Sequence, residues 1–493
     1  MIRKSFLNLI IARLDGDRIE DSSYRDYIIK LVEEGIAGFI IFGGEYEKVK
    51  DFLSHIQSIS SKTLIIASDI ERGVGQQIKG GTIIPCQMAI RAGFKLPQDC
   101  DELEKLYSIV IKEARDVGIN LALIPVLDVN TEPKNPIICT RSFSDNPKVV
   151  SEYGSFIINF FQSQGLPTCG KHFPGHGGVS VDSHLDLPYL TDRLNLHLKP
   201  FRQAVKAEVS AIMVGHISIP VEDNYPASLS EWAIKELLRK KIRFKGLVLT
   251  DAMNMKALSA YNNPHALALK AGADIILHPE NPYKASNEIG EAYERGLINE
   301  ERIKEAKEKI DKFRIKLTLE DKDSIEESSE EIPFIVKQAF KRSVTVIRNR
   351  IEDLQNRKII PYLVGNYTQS IFEIFRYTFD SAYDLMEYKK TGKIPLIAAF
   401  TDIRAAGQSY SLKEEEKAII YKIIKENKNS IFVSFGNPYV TNFELSKRID
   451  TIVLLYDSNE MAVYAFLDYL SEGLSRATGV LPVRIRSQSI YKH

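Results

Sequence analysis

Residues 246–251 read GLVLTD, an apolar run that ends at a threonine and is followed directly by a carboxylate. A run without alternation of polar and apolar residues is typical of a strand buried on both faces, as in a parallel sheet. Similar runs occur at 6–12, 37–42, 64–68, 120–127, 168–171, 211–215 and 273–277. Stretches long enough for helices separate them, for example 151–164 and 231–240. This alternation predicts the α/β class and an N-terminal (β/α)8 TIM-type barrel over residues 1–316, with an open doubly wound sheet as the alternative.

A second domain is predicted after an acidic segment. Residues 317–332 read LTLEDKDSIEESSEEI, which has no aromatic residue and is typical of a solvated linker. Strand-like runs then resume at 344–347, 359–364, 395–400, 431–435 and 452–455. The remaining length suffices for its own core, so residues 333–493 are predicted to form a smaller C-terminal α/β sandwich domain.

The composition argues against several classes of protein. The 493 residues are 44% hydrophobic and 26% charged, with 65 basic and 65 acidic side chains, as in ordinary globular proteins. A balanced charge provides no field for nucleic acid or an anionic membrane. No apolar stretch is long enough to span a bilayer, and the first apolar run is interpreted as a core strand rather than a signal peptide. The cysteines form no CxxC pair. We therefore expect a cytoplasmic protein with no metal and no cofactor.

Polar side chains gather just after the apolar runs. They are Asp69, Asp128, Lys171, His172, His216 and Asp251. In a barrel of parallel strands, the carboxyl ends of all strands meet at the face where loops build the active site. A single aspartate in such a place is often only a helix cap. The repetition of polar residues at several strand ends favours a functional site.

The densest cluster is the loop at 171–188, which reads KHFPGHGGVSVDSHLDLP. Asp182 and His184 are spaced so that the carboxylate can orient the imidazole and favour its charged form. The glycines allow sharp turns. Three interpretations stay open at this point: histidines that brace a long loop, a zinc site made of His172, His176 and His184, and a catalytic loop. Phosphate binding by the glycines is disfavoured because no Lys-Ser/Thr pair follows them.

The loop KHFPGHG…DSHLDLP resembles the signature of glycoside hydrolase family 3, in its β-N-acetylglucosaminidase branch of the peptidoglycan-recycling type. Further stretches resemble that family in the same order along nearly the whole chain: SDIERG at 68–73, GIN at 118–120, PVLDV at 125–129, RSFS at 141–144, GLVLTDAMNM at 246–255, AGAD at 271–274, GNPY at 436–439 and GVLPV at 479–483.

The resemblance implies a retaining glycosidase, in which a nucleophile and a proton donor flank the anomeric carbon. It assigns the nucleophile to Asp251 and the acid/base to His184, oriented by Asp182. An imidazole titrates near neutral pH and is suited to both proton transfers. Substrate binding is implied for Asp69, Arg141, Lys171 and His172. From the residues themselves, we expect His176 to brace the loop, Asp128 to be structural, and Glu71 to be a reserve acid/base.

One departure from the family pattern concerns the segment after Asp69. The acetylglucosaminidase branch carries GGR after the D-x-E motif, whereas residues 71–77 here read ERGVGQQ. The natural glycan and aglycone therefore stay open. The leading hypothesis is a β-N-acetylhexosaminidase acting on a small carbohydrate, with no nucleic-acid or membrane partner and an undetermined oligomeric state. A phosphorylase, a β-glucosidase, a zinc hydrolase and an inactive sugar-binding protein are the alternatives.

Overall fold

The computed structural model describes residues 5–179, 187–190, 193–219, 225–319, 331–351, 354, 357–401, 411–427, 429–441 and 448–485. Contacts between residues divide the chain into two compact units. The first comprises 1–83, 104–135 and 146–327, and the second comprises 84–103, 136–145 and 328–493.

Helices occur throughout the described chain. They are α1 (Ser22–Glu33), α2 (Tyr46–Ile59), α3 (Gln87–Gly93), α4 (Cys100–Val117), α5 (Pro147–Ser163), α6 (Leu194–Lys206), α7 (Pro264–Ala271), α8 (Pro282–Glu294), α9 (Glu300–Leu319), α10 (Ile332–Ser343), α11 (Gln369–Phe379), α12 (Glu414–Glu426) and α13 (Glu460–Glu472), together with a π-helix at Trp232–Lys241. Local sequence explains some of their starts: Asp21 accepts hydrogen bonds from the backbone N–H groups of Ser23 and Tyr24 at the start of α1. The helices predicted at 151–164 and 231–240 correspond to α5 and the π-helix.

The first unit is built on parallel strands that follow one another around a ring. They are β1 (Ile10–Asp15), β2 (Gly38–Phe42), β3 (Ile65–Ser68), β4 (Leu121–Ala122), β5 (Cys169–Phe173), β6 (Ala211–Val214), β7 (Leu247–Thr250) and β8 (Ile276–Leu277). They pair in the orders β4-β3-β2-β1-β8 and β5-β6-β7. Parallel bridges Ala122–Thr168 and Leu249–Ile275 continue the order from β4 to β5 and from β7 to β8. The predicted barrel is therefore confirmed, rather than the open sheet.

The strands are buried as their sequences predict. Every residue of β3, β5, β6 and β7 is buried. Several predicted strand limits differ from the structure. The run at 6–12 begins with a 3-10 turn at Leu7–Leu9, so β1 starts at Ile10. The run at 120–127 is a regular strand over only two residues, and beyond Ala122 it continues beside β5 through the isolated bridge Val126–Lys171.

The second unit contains a mixed sheet. Its described strands are β9 (Thr345–Asn349), β10 (Ile359–Gly365), β11 (Tyr383–Asp384), β12 (Ile394–Thr401), β13 (Ile431–Gly436) and β14 (Thr451–Leu454). They lie in the order β11-β10-β12-β13-β14-β9, and β9 is antiparallel to β14. The five predicted runs of this region all appear as strands. Strand β11 was not predicted, because its two residues carry no apolar run.

Two segments from the N-terminal half of the chain pack within the second unit. Residue Cys86 donates its backbone N–H to Asp457 Oδ2 at 3.0 Å, and Ser144 Oγ donates to the Pro482 carbonyl at 2.6 Å. The division by contacts assigns 84–103 and 136–145 to the second unit, and the domain limits 1–316 and 333–493 stay a prediction. Of the predicted linker 317–332, residues 320–330 lie outside the described residues; α9 ends at Leu319 and α10 begins at Ile332.

A buried ion-pair network in the first unit connects the π-helix, α9, β7 and the segment just before β8. The carboxylate of Asp274 is fully buried and accepts from Arg239 Nη2 at 2.6 Å and Arg302 Nη2 at 2.8 Å. It also accepts from the Val248 backbone N–H at 2.9 Å. Buried charges of this kind require partners, because an unpaired charge in the interior is costly.

Replacement of Asp274 by alanine is expected to lower the free energy of unfolding by about 3–5 kcal/mol, because Arg239 and Arg302 lose their common partner. Urea titration measures this loss. The control is Glu20→Ala, which removes an exposed ion pair with Lys48 and is expected to cost at most about 1 kcal/mol. Equal losses in the two variants would contradict a stabilising role for the network.

Within the described ranges, no helix combines the length and the apolar character needed to cross a bilayer.

Candidate active site

Lys171 lies between two carboxylates at the carboxyl ends of β3 and β5. Its side chain is 1% exposed, and Nζ lies 2.5 Å from Asp69 Oδ1 and 2.7 Å from Glu71 Oε1. Both carboxylates follow β3, which neighbours β2 and β4 in the barrel. The pairing compensates the burial of the ammonium group and holds it in one position. Glu71 was the reserve acid/base of the sequence analysis; here its carboxylate is buried against Lys171.

His172 is held by the buried carboxylate of Asp128. The distance from His172 Nδ1 to Asp128 Oδ2 is 2.7 Å, and Asp128 has no exposed surface. Asp128 also accepts from the backbone N–H of His176 at 2.5 Å. Burial raises the pKa of Asp128, but the charge and hydrogen bond of His172 and the nearby His176 outweigh it, so this pKa lies below its usual value. The carboxylate thus favours a proton on Nδ1 of His172 and orients the ring.

The loop that follows β5 is anchored at both described ends. On one side the Gly177 carbonyl accepts the backbone N–H of Thr131 at 3.1 Å. A Cβ at Gly177 would lie 2.1 Å from the Val129 carbonyl oxygen, so this close approach requires glycine. On the other side the backbones of Pro188 and Leu190 bond with Ser218, beyond β6.

Two catalytic residues predicted from the sequence, Asp182 and His184, fall between these anchored ends, and both lie outside the described residues. The zinc alternative depends on the same residue, His184. Among the residues that are described, no group of three or more His, Cys, Asp or Glu is arranged to hold a metal ion.

Asp251 directly follows β7. Its backbone N–H donates to the Val214 carbonyl at 2.9 Å, and its Oδ1 accepts from the Ala252 N–H at 2.8 Å. The capping alternative does not apply, because the next helical turn, Lys256–Leu258, has Met255 at its N-cap. Asp251 follows a rigid, fully buried strand, as expected for a carboxylate that must be placed accurately.

Asp69 follows β3 and Asp251 follows β7, so both lie at the carboxyl end of the parallel strands, and Lys171 in β5 forms an ion pair with Asp69. The Cys169 thiol in β5 is affected by all three groups, while burial raises its pKa far above the usual value. Of the predicted binding residues, the structure therefore gathers Asp69, Lys171 and His172 at the end of the strands that also carries Asp251.

Arg141 lies in the second unit. It ends the 3-10 turn Cys139–Arg141, and its carbonyl accepts from Gln87 Nε2 at 2.8 Å. Both residues belong to the segments that pack within the second core. A substrate contact by Arg141 stays a prediction.

His278 also lies at a strand end of the barrel, although the sequence did not single it out. It follows β8, its ring centroid lies 5.6 Å from that of Phe42, and its backbone has a left-handed φ of 46°. Burial and the nearby Arg13 lower the pKa of His278 to about 4, against the opposing carboxylates of Asp69 and Asp251. Its position directly after the apolar run at 273–277 could have identified it, by the same reasoning that selected Asp69 and Asp251.

The buried neutral His278 predicts a pH dependence of stability. Its folded pKa of about 4 lies below the unfolded value of about 6.5. Between these values the unfolded chain binds the proton and the folded chain does not, so stability falls as pH decreases from about 6.5 to about 4. His278→Gln is expected to reduce this slope, by up to about 1.4 kcal/mol per pH unit. Urea titrations from pH 4 to 7.5 measure it, and an unchanged slope would contradict the prediction.

Comparison with known proteins identifies the family of the chain. The family model described as "Glycosyl hydrolase family 3 N terminal domain" matches residues 16–313. A beta-hexosaminidase A of Pseudoalteromonas piscicida is 32% identical over 323 residues, which cover 57% of this chain and 54% of that protein. A beta-hexosaminidase of Actinobacillus pleuropneumoniae serotype 5b (strain L20) is 31% identical over 279 residues, which cover 54% of this chain and 80% of that protein. This chain thus spans about half the length of the first relative.

The likeness in structure extends over the second unit as well. The glycoside hydrolase family 3 beta-N-acetylglucosaminidase from Paenibacillus sp. str. FPU-7 has a TM-score of 0.82 and 25% sequence identity, with 99% of both chains covered.

Proposed function

Because the chain belongs to glycosyl hydrolase family 3, we propose that it is a retaining β-N-acetylhexosaminidase that releases terminal β-linked N-acetylglucosamine from a small glycan. The observation that carries the proposal is Lys171 held between Asp69 and Glu71 at the end of the barrel that carries Asp251. The names of the relatives, which are beta-hexosaminidases, support the choice of sugar.

The proposed reaction has two displacement steps. In the first, an Asp251 oxygen forms a bond to the anomeric carbon while the bond to the leaving oxygen breaks, and His184 donates a proton to that oxygen. In the second, His184 takes a proton from water, whose oxygen attacks the anomeric carbon and releases Asp251. Asp182 orients the imidazole throughout, and its charge favours the protonated form.

Sugar recognition is assigned to charged groups that are already held in place. Asp69, Lys171 and His172 bind hydroxyl groups of the terminal sugar, and Arg141, for which the family resemblance implies binding, is proposed as a further binding residue. A sugar that lacks a matching hydroxyl leaves one of these buried groups without a hydrogen-bond partner. The binding free energy lost in this way is larger than for a group that water can reach. This arrangement favours one epimer of the sugar over epimers that differ in the orientation of a bound hydroxyl.

Peptidoglycan fragments are the proposed source of the sugar, and the cytoplasm is the proposed compartment. The first proposal follows from the resemblance of the loop at 171–188 to the peptidoglycan-recycling branch. The second follows from the scattered cysteines and from the interpretation of the first apolar run as a core strand.

A screen of aryl β-glycosides tests the proposed function. Purified protein is given the N-acetylglucosaminide and the glucoside side by side, in buffer with and without phosphate, and after treatment with a chelator. Release of free N-acetylglucosamine that needs neither phosphate nor metal supports the proposal. A sugar phosphate as product identifies a phosphorylase, preference for glucose identifies a β-glucosidase, and loss of activity on chelation identifies a metal-dependent hydrolase. Binding of the sugar without turnover identifies a sugar-binding protein.

A further inference from the structure

His216 follows β6 and lies fully buried between two loops. Its Nδ1 is 2.7 Å from Ser228 Oγ, and its Nε2 is 3.0 Å from the carbonyl oxygen of Ala252. Ser228 belongs to the 3-10 turn Ala227–Leu229 and is itself fully buried. The imidazole therefore connects the 227–229 turn to the residue that follows Asp251.

The partners determine which nitrogen of His216 carries a proton. A carbonyl oxygen only accepts hydrogen bonds, so Nε2 carries a proton that it donates to Ala252. In the neutral ring, Nδ1 is then an acceptor, and the Ser228 hydroxyl donates to it.

The contact with Ala252 reaches the carboxylate of Asp251 through a short chain of bonds. The Ala252 N–H donates to Asp251 Oδ1 at 2.8 Å, while the Ala252 carbonyl accepts from His216. The backbone N–H of Asp251 donates to Val214, two residues before His216. The end of β6 thus holds Asp251 from both sides: at its own backbone, and through the residue whose N–H binds its carboxylate.

We propose that His216 is a positioning residue for Asp251, acting through the Ala252 backbone, and that Ser228 sets its orientation. This inference rests on the proposed function, in which Asp251 attacks the anomeric carbon. A nucleophile displaced by about 1 Å is enough to slow such a reaction by about 10²-fold. The contacts of His216 with Ser228 and Ala252 lead to Asp251 rather than to Asp69, Lys171 or His172, so we expect the loss in kcat rather than in KM.

Two substitutions at His216 separate its contacts. In His216→Gln the side-chain amide extends to the position of Nε2 and can still donate to Ala252. In His216→Asn the shorter amide reaches only the position of Nδ1, so the contact with Ser228 is kept and the contact with Ala252 is lost. We expect His216→Asn to lower kcat for the aryl N-acetylglucosaminide by about 10- to 100-fold with KM within about twofold. His216→Gln is expected to recover most of that loss.

Thermal unfolding of each variant shows whether it folds. The control is His55→Asn, which changes an exposed histidine of α2 and is expected to leave kcat unchanged. Wild-type kcat in His216→Asn overturns the inference. Equal losses of kcat in the Asn and Gln variants also overturn the inference, because they indicate that His216 acts only by filling space in the core. If His216→Asn does not fold, Ser228→Ala is the deciding variant. A lower kcat at unchanged KM and unchanged Tm supports the inference, whereas a wild-type kcat overturns it. Failure of the wild-type protein to release N-acetylglucosamine defeats the proposed function instead.

Discussion

Substitution of Asp251 by alanine is expected to abolish turnover, lowering kcat by about 10⁴-fold or more. The physical reason is that alanine offers no oxygen to bond with the anomeric carbon, and water alone is a poor substitute without activation. The fully buried strand β7 brings Asp251 to the end of the barrel where Asp69 and Lys171 meet. Hydrolysis of an aryl N-acetylglucosaminide measures the loss.

The matched control for this variant is Asp26→Ala, which removes an exposed carboxylate on α1. It is expected to leave kcat and Tm unchanged. Asp251→Ala should also fold, because the strand before it is held by ladder hydrogen bonds to β6. Wild-type rates in a folded Asp251→Ala protein would remove Asp251 from the role of nucleophile.

Replacement of His184 by alanine is expected to slow substrates with poor leaving groups by about 10²–10⁴-fold, the usual contribution of a general acid. An activated aryl glycoside needs little protonation of its leaving oxygen, so its first step should lose far less. Rates for a nitrophenyl glycoside and for an unactivated alkyl glycoside of the same sugar provide the comparison.

Asp182→Asn is the accompanying variant. An amide still occupies the place of the carboxylate but carries no charge to favour the imidazolium, so a smaller loss of the same kind is expected. Tyr189→Phe, next to the same loop and largely exposed, serves as the control. Equal losses on activated and unactivated substrates would exclude His184 as the general acid.

Much of the first unit could be predicted from the periodicity of apolar residues. The runs that end near Ser68, Val214 and Thr250 are strands in the structure because a strand covered on both faces has to be apolar along its whole length. The same reasoning placed Asp69 and Asp251 at strand ends. It failed for β11, which lies at the edge of its sheet and has only two residues.

Contacts between side chains were less accessible to the sequence. Glu71 was noted as a possible acid/base, whereas the structure pairs it with Lys171, 100 residues later in the chain. His278 was missed, although it follows a predicted strand. Segment 84–103 was assigned to the barrel domain by continuity, and its packing within the second unit depends on contacts such as that with Asp457.

The order and type of the strands, the residues at their carboxyl ends and the family resemblance could all be read from the chain, because burial on both faces and motif spacing are local properties of a sequence. The partners of Lys171, His172 and His216 could not, because each pairs with a residue on a different strand or loop. Such pairings depend on the closure of the barrel, which brings side chains distant in sequence within hydrogen-bonding distance and excludes water from between them.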